Sequence, residues 1–179
     1  MKKIIENDKT YLVGYHTQEF RLKELNYPIC CEAKNAWLGM GFYFWTEEEF
    51  AHYWGQDCKM NTGAYDIYRA EIDISKSINA VFSEEGYFFF REKIEEAISY
   101  FRDKGQSVTL QKVHRFLSDN IWHKLGVTGI IYDDKPSNKI NKNRYYSEIP
   151  DLYYKKRIQI VIFSLENIRN FELFLEEQT

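Results

Sequence analysis

Long apolar runs, a disulfide framework and a dominant sign of charge are all missing from this sequence. No stretch of 18 apolar residues occurs, so no membrane span is expected. The first eight residues are basic only at Lys2 and Lys3 and turn polar at once, without the apolar core of a signal peptide. Cys30, Cys31 and Cys58 form an odd set with two adjacent members, which fits a reducing compartment. A thiol beside an active cleft and a buried, inert cysteine are both open to such residues; the second is the expectation. Together these features predict a cytoplasmic protein. Formal net charge is -3, which supplies no global attraction to nucleic acid or to an anionic membrane. There is no internal repeat, low-complexity block or long linker. Gly39-x-Gly41 is too short for a phosphate loop or a dinucleotide fingerprint. His52 with Cys58, and His114 with His123, match no common zinc spacing, so no metal is expected.

Aromatic residues, by contrast, are abundant at 17%, and such rings belong either in cores or in flat ligand sites. A chain of 179 residues reads as a single domain, 1–179, able to bury roughly 70% of its unfolded surface. Residues 10–15 are rich in strand formers, and residues 18–25 read as a short helix ending before Pro28. Residues 41–45 read as a second strand. Thr46 is then a candidate N-cap, with Glu47, Glu48 and Glu49 in the first turn, an apolar face at Phe50, Tyr53 and Trp54, and Gly55 as the stop. Residues 64–74 alternate as a third strand. Two helical periods follow within 83–125, with Tyr87, Phe90, Ile94, Ala97, Ile98 and Phe101 on one face of the first and Leu110, Val113, Leu117, Ile121 and Leu125 on one face of the second. Gly105 and Gly126 end them. Residues 127–132 and 157–163 read as strands, 133–154 as a polar loop, and 168–174 as a last strand. Strands at both ends with a helical insertion at about 83–125 predict an α+β fold.

Two short stretches carry the chemistry. Tyr15-His16-Thr17-Gln18 places a His at the end of an apolar run. Gly39-Met40-Gly41-Phe42-Tyr43-Phe44 places a Tyr on a Gly-punctuated aromatic strand, followed by Ala51-His52-Tyr53. Strand alternation points Tyr43 away from Phe42 and Phe44. Each residue also has a plain structural reading: His16 satisfied by a nearby backbone group, the aromatics as core.

In these motifs, and in Gln159-Ile160-Val161-Ile162-Phe163 followed by Glu166-Asn167-Ile168, the chain resembles the ADP-ribosyltransferase superfamily. The similar branch is the one that includes diphtheria toxin and the poly-ADP-ribose polymerases, with a His-Tyr-Glu triad. The resemblance spans about residues 10–174 and implies split antiparallel β-sheets with an NAD cleft between them. Thr17 stands where Gly is usual, and Gln159 stands where the family has its catalytic Glu. By the resemblance, His16 hydrogen-bonds a hydroxyl of the nicotinamide ribose and backbone groups at Thr17 hold the carboxamide. Tyr43 and Tyr53 sandwich the nicotinamide ring.

Departure of nicotinamide passes through an oxocarbenium-like transition state, which a carboxylate stabilises. An amide at Gln159 can orient a hydroxyl but supplies neither full negative charge nor a base. Glu148, in Tyr145-Tyr146-Ser147-Glu148, is a candidate auxiliary acid; its plain reading is a solvated loop residue. Lys135, Lys139, Lys142, Asn143 and Arg144 form a basic loop that can touch a phosphate, though such a run reads first as a solvated surface. The expectation is a toxin-like mono-ADP-ribosyltransferase that uses NAD as substrate and a protein or nucleic acid as acceptor. Hydrolysis of NAD by the same residues, and a catalytically silent NAD- or ADP-ribose-binding or interaction module of the same fold, are the alternatives.

Overall fold

The computed structural model describes residues 2–32, 36–59, 61–134 and 155–178. Glu148 and the basic stretch 135–144 lie outside the described residues. The elements run β1 (Lys3–Glu6), β2 (Lys9–Glu19), β3 (Phe42–Trp45), α1 (Glu48–Cys58), β4 (Ala64–Asp73), β5 (Ser77–Asn79), α2 (Glu84–Asp103), α3 (Leu110–Leu117), β6 (Gly129–Asp133), β7 (Ile158–Ile162) and β8 (Ile168–Gln178). A π-helical turn, Ser118–Trp122, and a last turn, His123–Leu125, continue α3. The fold is α+β. No helix among the described residues is long and apolar enough to cross a membrane.

The strands form one mostly antiparallel sheet in the order β5-β6-β7-β3-β2-β4-β8, with β1 on β2. Only β5 and β6 run parallel among the described strands. One edge of β2 pairs with β4 over its whole length from Tyr11 to Glu19. Its other edge is divided. Lys9 to Leu12 pair with β1, and Tyr15 alone pairs with β3, opposite Trp45. From His16 onward that edge has no registered partner among the described residues. The sheet is therefore two halves, β5-β6-β7-β3 and β2-β4-β8, joined at one residue pair.

Side chains from both halves share a core. Leu12, Ala70 and Ile72 pack with Phe44, Ile131, Ile158, Ile160 and Ile162. Gly14 makes this contact possible, since a Cβ there would stand 2.5 Å from Ile72 Cδ1 and 2.9 Å from Phe44 Cβ. The opposite face of β6 and β7 is covered by α2 and α3 through Phe90, Ala97, Phe101, Val113, Leu117 and Trp122. α1 covers Trp45, Tyr65 and Ile67 through Phe50 and Ala51.

Several local departures from the sequence reading each have a physical reason. Residues 18–25 form no helix. Gln18 and Glu19 finish β2 opposite Asp66 and Tyr65, and Phe20 N–H continues the ladder to Ala64 C=O at 3.1 Å. Pairing along a whole strand outweighs weak local helix propensity. Thr46 does not cap α1. Its N–H donates to Ile158 C=O, which keeps it in the sheet, and Glu47 takes the N-cap position without a side-chain bond. Gly55 lies inside α1 rather than at its end. The α3 face shifts because the π turn adds a residue: at about 100° per residue Trp122 would fall about 140° from Leu117. The wider turn carries Trp122 into the core, 3% exposed, and leaves Leu125 57% exposed.

Gly55 yields a signed test. Alanine gains about 1 kcal/mol of helix propensity over glycine. A Cβ at 55, however, would lie 2.4 Å from the ring of Tyr65, which is buried and holds His52 Nδ1 at 3.2 Å through its hydroxyl. Overpacking of this kind costs about 1–3 kcal/mol. Gly55→Ala is therefore expected to lower the urea midpoint; a raised midpoint would mean Tyr65 yields freely.

Candidate functional site

His16 sits where β2 parts from β3. Its ring lies beside Phe44 and Phe171, with centroids 5.6 and 6.2 Å away. Nδ1 is 2.9 Å from the Tyr43 carbonyl oxygen. A carbonyl only accepts, so Nδ1 carries the proton and Nε2 of the neutral ring is a bare acceptor. That Nε2 is buried and has no hydrogen-bond partner among the described residues. Burial pulls the imidazole pKa down to about 4, against the opposing pull of the Tyr43 carbonyl. The ring thus lies at the point where β3 leaves the β2 edge, with one nitrogen used and one buried without a partner among the described residues.

Thr17 turns its side chain the other way and donates from Oγ1 to Ala51 C=O at 2.8 Å, tying β2 to α1. Tyr43 leaves Phe42 and Phe44 in the inter-half core and packs against the α2–α3 cluster, as strand alternation requires. Its hydroxyl donates to Gly39 C=O at 2.6 Å and accepts from Leu38 N–H at 3.0 Å. Burial raises the phenol pKa, so the hydroxyl stays protonated. Gly39 holds φ at +95°, which an L side chain rarely adopts. Gly41 leaves room for Val161, whose Cγ2 would be 2.6 Å from a Cβ. The glycines of the motif therefore shape the loop that Tyr43 grips.

Tyr53 packs beside Phe50, and its hydroxyl donates to Glu49 Oε1 at 2.7 Å. That bond comes first in lowering the Glu49 pKa, with Lys155 adding to it. Tyr43 and Tyr53 join different clusters, and Trp45 belongs to the one that holds Tyr53. Gln159 lies in β7 between Trp45 and Tyr132, 6% exposed, and on the Tyr43 face. Its Oε1 accepts from Trp37 Nε1–H at 2.8 Å. The structure thus brings Tyr43 and Gln159 together through the 36–39 loop. It joins His16 to Tyr43 through the backbone carbonyl, with the two side chains on opposite faces of β3.

No protein-family model, curated protein or solved structure matches the chain.

Two residues of this region were invisible in the sequence. Trp37 is 122 positions from Gln159, and nothing local marks it beyond its place just before Gly39. His114, in α3, holds the Trp37 carbonyl through Nε2 and packs against Gly39. The cysteines also differ from expectation. Cys58 is exposed and Cys30 and Cys31 are half-buried rather than buried. Desolvation still raises the thiol pKa of Cys30 and Cys58, which disfavours the reactive thiolate.

The His16 environment sets a pH dependence. The folded protein holds the ring neutral down to about pH 4, whereas the unfolded chain protonates near 6.5. Between these values the unfolded state binds more protons, so stability falls as pH drops through the window, by about 3 kcal/mol in all. His16→Asn keeps an N–H for the Tyr43 carbonyl and removes the titration. Denaturation at pH 7 and pH 4.5 is expected to show a smaller loss in the variant; equal losses would mean the ring is not held neutral.

Proposed function

We propose that the protein is an NAD-dependent mono-ADP-ribosyltransferase, with His16, Tyr43 and Gln159 in its site and Thr17 and Tyr53 beside it. The observation that carries this reading is the buried, tautomer-fixed Nε2 of His16 at the open edge of β2. A buried acceptor left without a donor costs about 1–3 kcal/mol, and such groups in folded proteins call for a reason. A hydroxyl of the nicotinamide ribose supplies the missing donor. The joining of two sheet halves at the single Tyr15–Trp45 pair supports the split-sheet fold expected of this superfamily, as does the ordering of the His16, Tyr43 and Gln159 strands around β3.

In the reaction, the bond between C1′ of the ribose and the nicotinamide nitrogen breaks, and nicotinamide leaves with the electron pair. An acceptor nucleophile bonds C1′ and loses its proton. Positive charge builds on the ribose in between. Gln159 orients a ribose hydroxyl but does not neutralise that charge, which suits transfer of a single ADP-ribose to a good nucleophile. Tyr43 supports the loop at the site through its hydroxyl. The acceptor is a protein or nucleic acid.

One observation favours a second reading. The carbonyl oxygen of Gln159 is already engaged by Trp37, which suits a binding module with no turnover. NAD labelled on both the nicotinamide and the adenylate, incubated with the protein alone and with lysate, separates the outcomes. Nicotinamide release with adenylate label on macromolecules is the expected result. Free ADP-ribose would make the protein a glycohydrolase. Saturable binding without release would favour the silent module, and absence of binding would end the NAD reading. His16→Asn is expected to abolish NAD binding while the protein stays folded. Gln159→Glu is expected to raise nicotinamide release on the order of 100-fold.

A further inference from the structure

Trp37 donates a single hydrogen bond whose direction admits no choice. An indole Nε1–H is a donor only, so the Gln159 atom 2.8 Å away is the oxygen. Side-chain amides are ordinarily open to a flip of O and N; here the partner removes that freedom. The amide nitrogen, with two N–H donors, points elsewhere and meets no hydrogen-bond partner among the described residues.

Trp37 is itself held from several sides. Its ring stands edge-on to Tyr132, with centroids 5.6 Å apart at 72°. Its carbonyl accepts from His114. The next two residues, Leu38 and Gly39, are gripped by the Tyr43 hydroxyl. Its position is therefore set by the scaffold and not by Gln159.

We infer that Trp37 is a positioning residue that makes Gln159 a hydrogen-bond donor toward its ligand, so that this position holds an oxygen lone pair of NAD. The ligand half of this inference rests on the NAD reading above. A carboxylate at 159 would keep the Trp37 bond with one oxygen and turn an acceptor to the ligand with the other. Gln159→Glu thus reverses the hydrogen-bonding sense of the position without disturbing Trp37.

Two measurements test this. The first needs no ligand. Exchange of the Trp37 indole N–H, followed by NMR on protein with labelled tryptophan and assigned through Trp37→Phe, is expected to be slow in wild type and in Gln159→Glu. It is expected to be fast in Gln159→Met, which matches the length but offers no oxygen. Equal protection in Gln159→Met would overturn the Trp37–Gln159 bond. The second is calorimetric titration with NAD. Trp37→Phe is expected to weaken binding about tenfold, the worth of one hydrogen bond to a ligand. Gln159→Met is expected to add no further loss in the Trp37→Phe background. Losses that multiply would overturn the positioning role and leave Trp37 as packing. If wild type binds no NAD, the ligand half falls with the NAD reading, while indole exchange still decides the Trp37 half.

Discussion

The joint between β2 and β3 governs this structure. Two sheet halves meet at Tyr15 and Trp45, and past that pair the strands part. The imidazole of His16 then does what a strand N–H would have done, donating to the Tyr43 carbonyl across the widening seam. Gly14, two residues earlier on the same face, lets Phe44 from one half and Ile72 from the other close over the backbone. A larger residue at 14 would push the halves apart at the point where His16 must reach β3. Position 16 therefore has a structural duty that any short donor could perform. Histidine meets it with a second nitrogen to spare, and that nitrogen is left in the interior without a partner among the described residues. An apolar or singly functional side chain would avoid the cost of that orphan acceptor. The choice of histidine is the clearest departure from stability in the seam, and such departures concentrate at functional sites.

The 36–41 loop is the second constraint, and it redefines Tyr43. Cys31 and Gly41 exchange backbone hydrogen bonds at its base. The Tyr43 hydroxyl bonds both Leu38 and Gly39, and His114 holds Trp37 from α3. Trp37 then reaches Gln159. A chain of contacts thus runs from the helical insertion, through the loop, to β7. The insertion at α2 and α3 is tied to the site through His114 rather than standing apart from it. The ring of Trp37 also forms part of a cleft of about 990 Å³ with Phe82, Tyr87, Phe88 and Tyr132. Whatever enters that cleft lies against the residue that orients Gln159.

Much of the fold was legible because periodicity and end signals agreed. α2 was readable from Phe90, Ala97 and Phe101 on one face and from Gly105 as its stop, although Tyr87, read on that face, is exposed; the cap at Ser83, whose hydroxyl accepts from Gly86 N–H at 3.0 Å, is seen only in the structure. β4, β6, β7 and β8 were readable from β-branched and aromatic content. β1 and β5, of four and three residues, were missed because runs so short carry no pattern. The false helix at 18–25 and the false stop at Gly55 share a cause: both were decided by partners distant in sequence, Ala64–Asp66 in one case and Tyr65 in the other. The same limit applies to the site. His16, Tyr43 and Gln159 stood out because each lies in a local motif. Trp37 and His114 did not, because their significance is a contact across 122 and 77 positions. Nor does local spacing reveal that the Tyr43 hydroxyl is committed to its own loop.

The groups gathered here share one electrostatic property: none is charged near neutrality. His16 is held neutral by burial, Tyr43 keeps its proton for the same reason, and Gln159 is an amide. A carboxylate at 159, with so little exposure, would bear a desolvation cost that the amide avoids. Neutral donors and acceptors in a partly closed site act by direction and not by field. They discriminate a ligand by the placement of its hydroxyls and amides, and they do little for a pyrophosphate. They also leave a developing ribosyl cation without a counter-charge. On the proposed reading, binding specificity then resides in the neutral set, while any counter-charge for the ribosyl cation comes from outside these three residues. An acceptor that carries its own anionic group next to its nucleophile is one source of that charge.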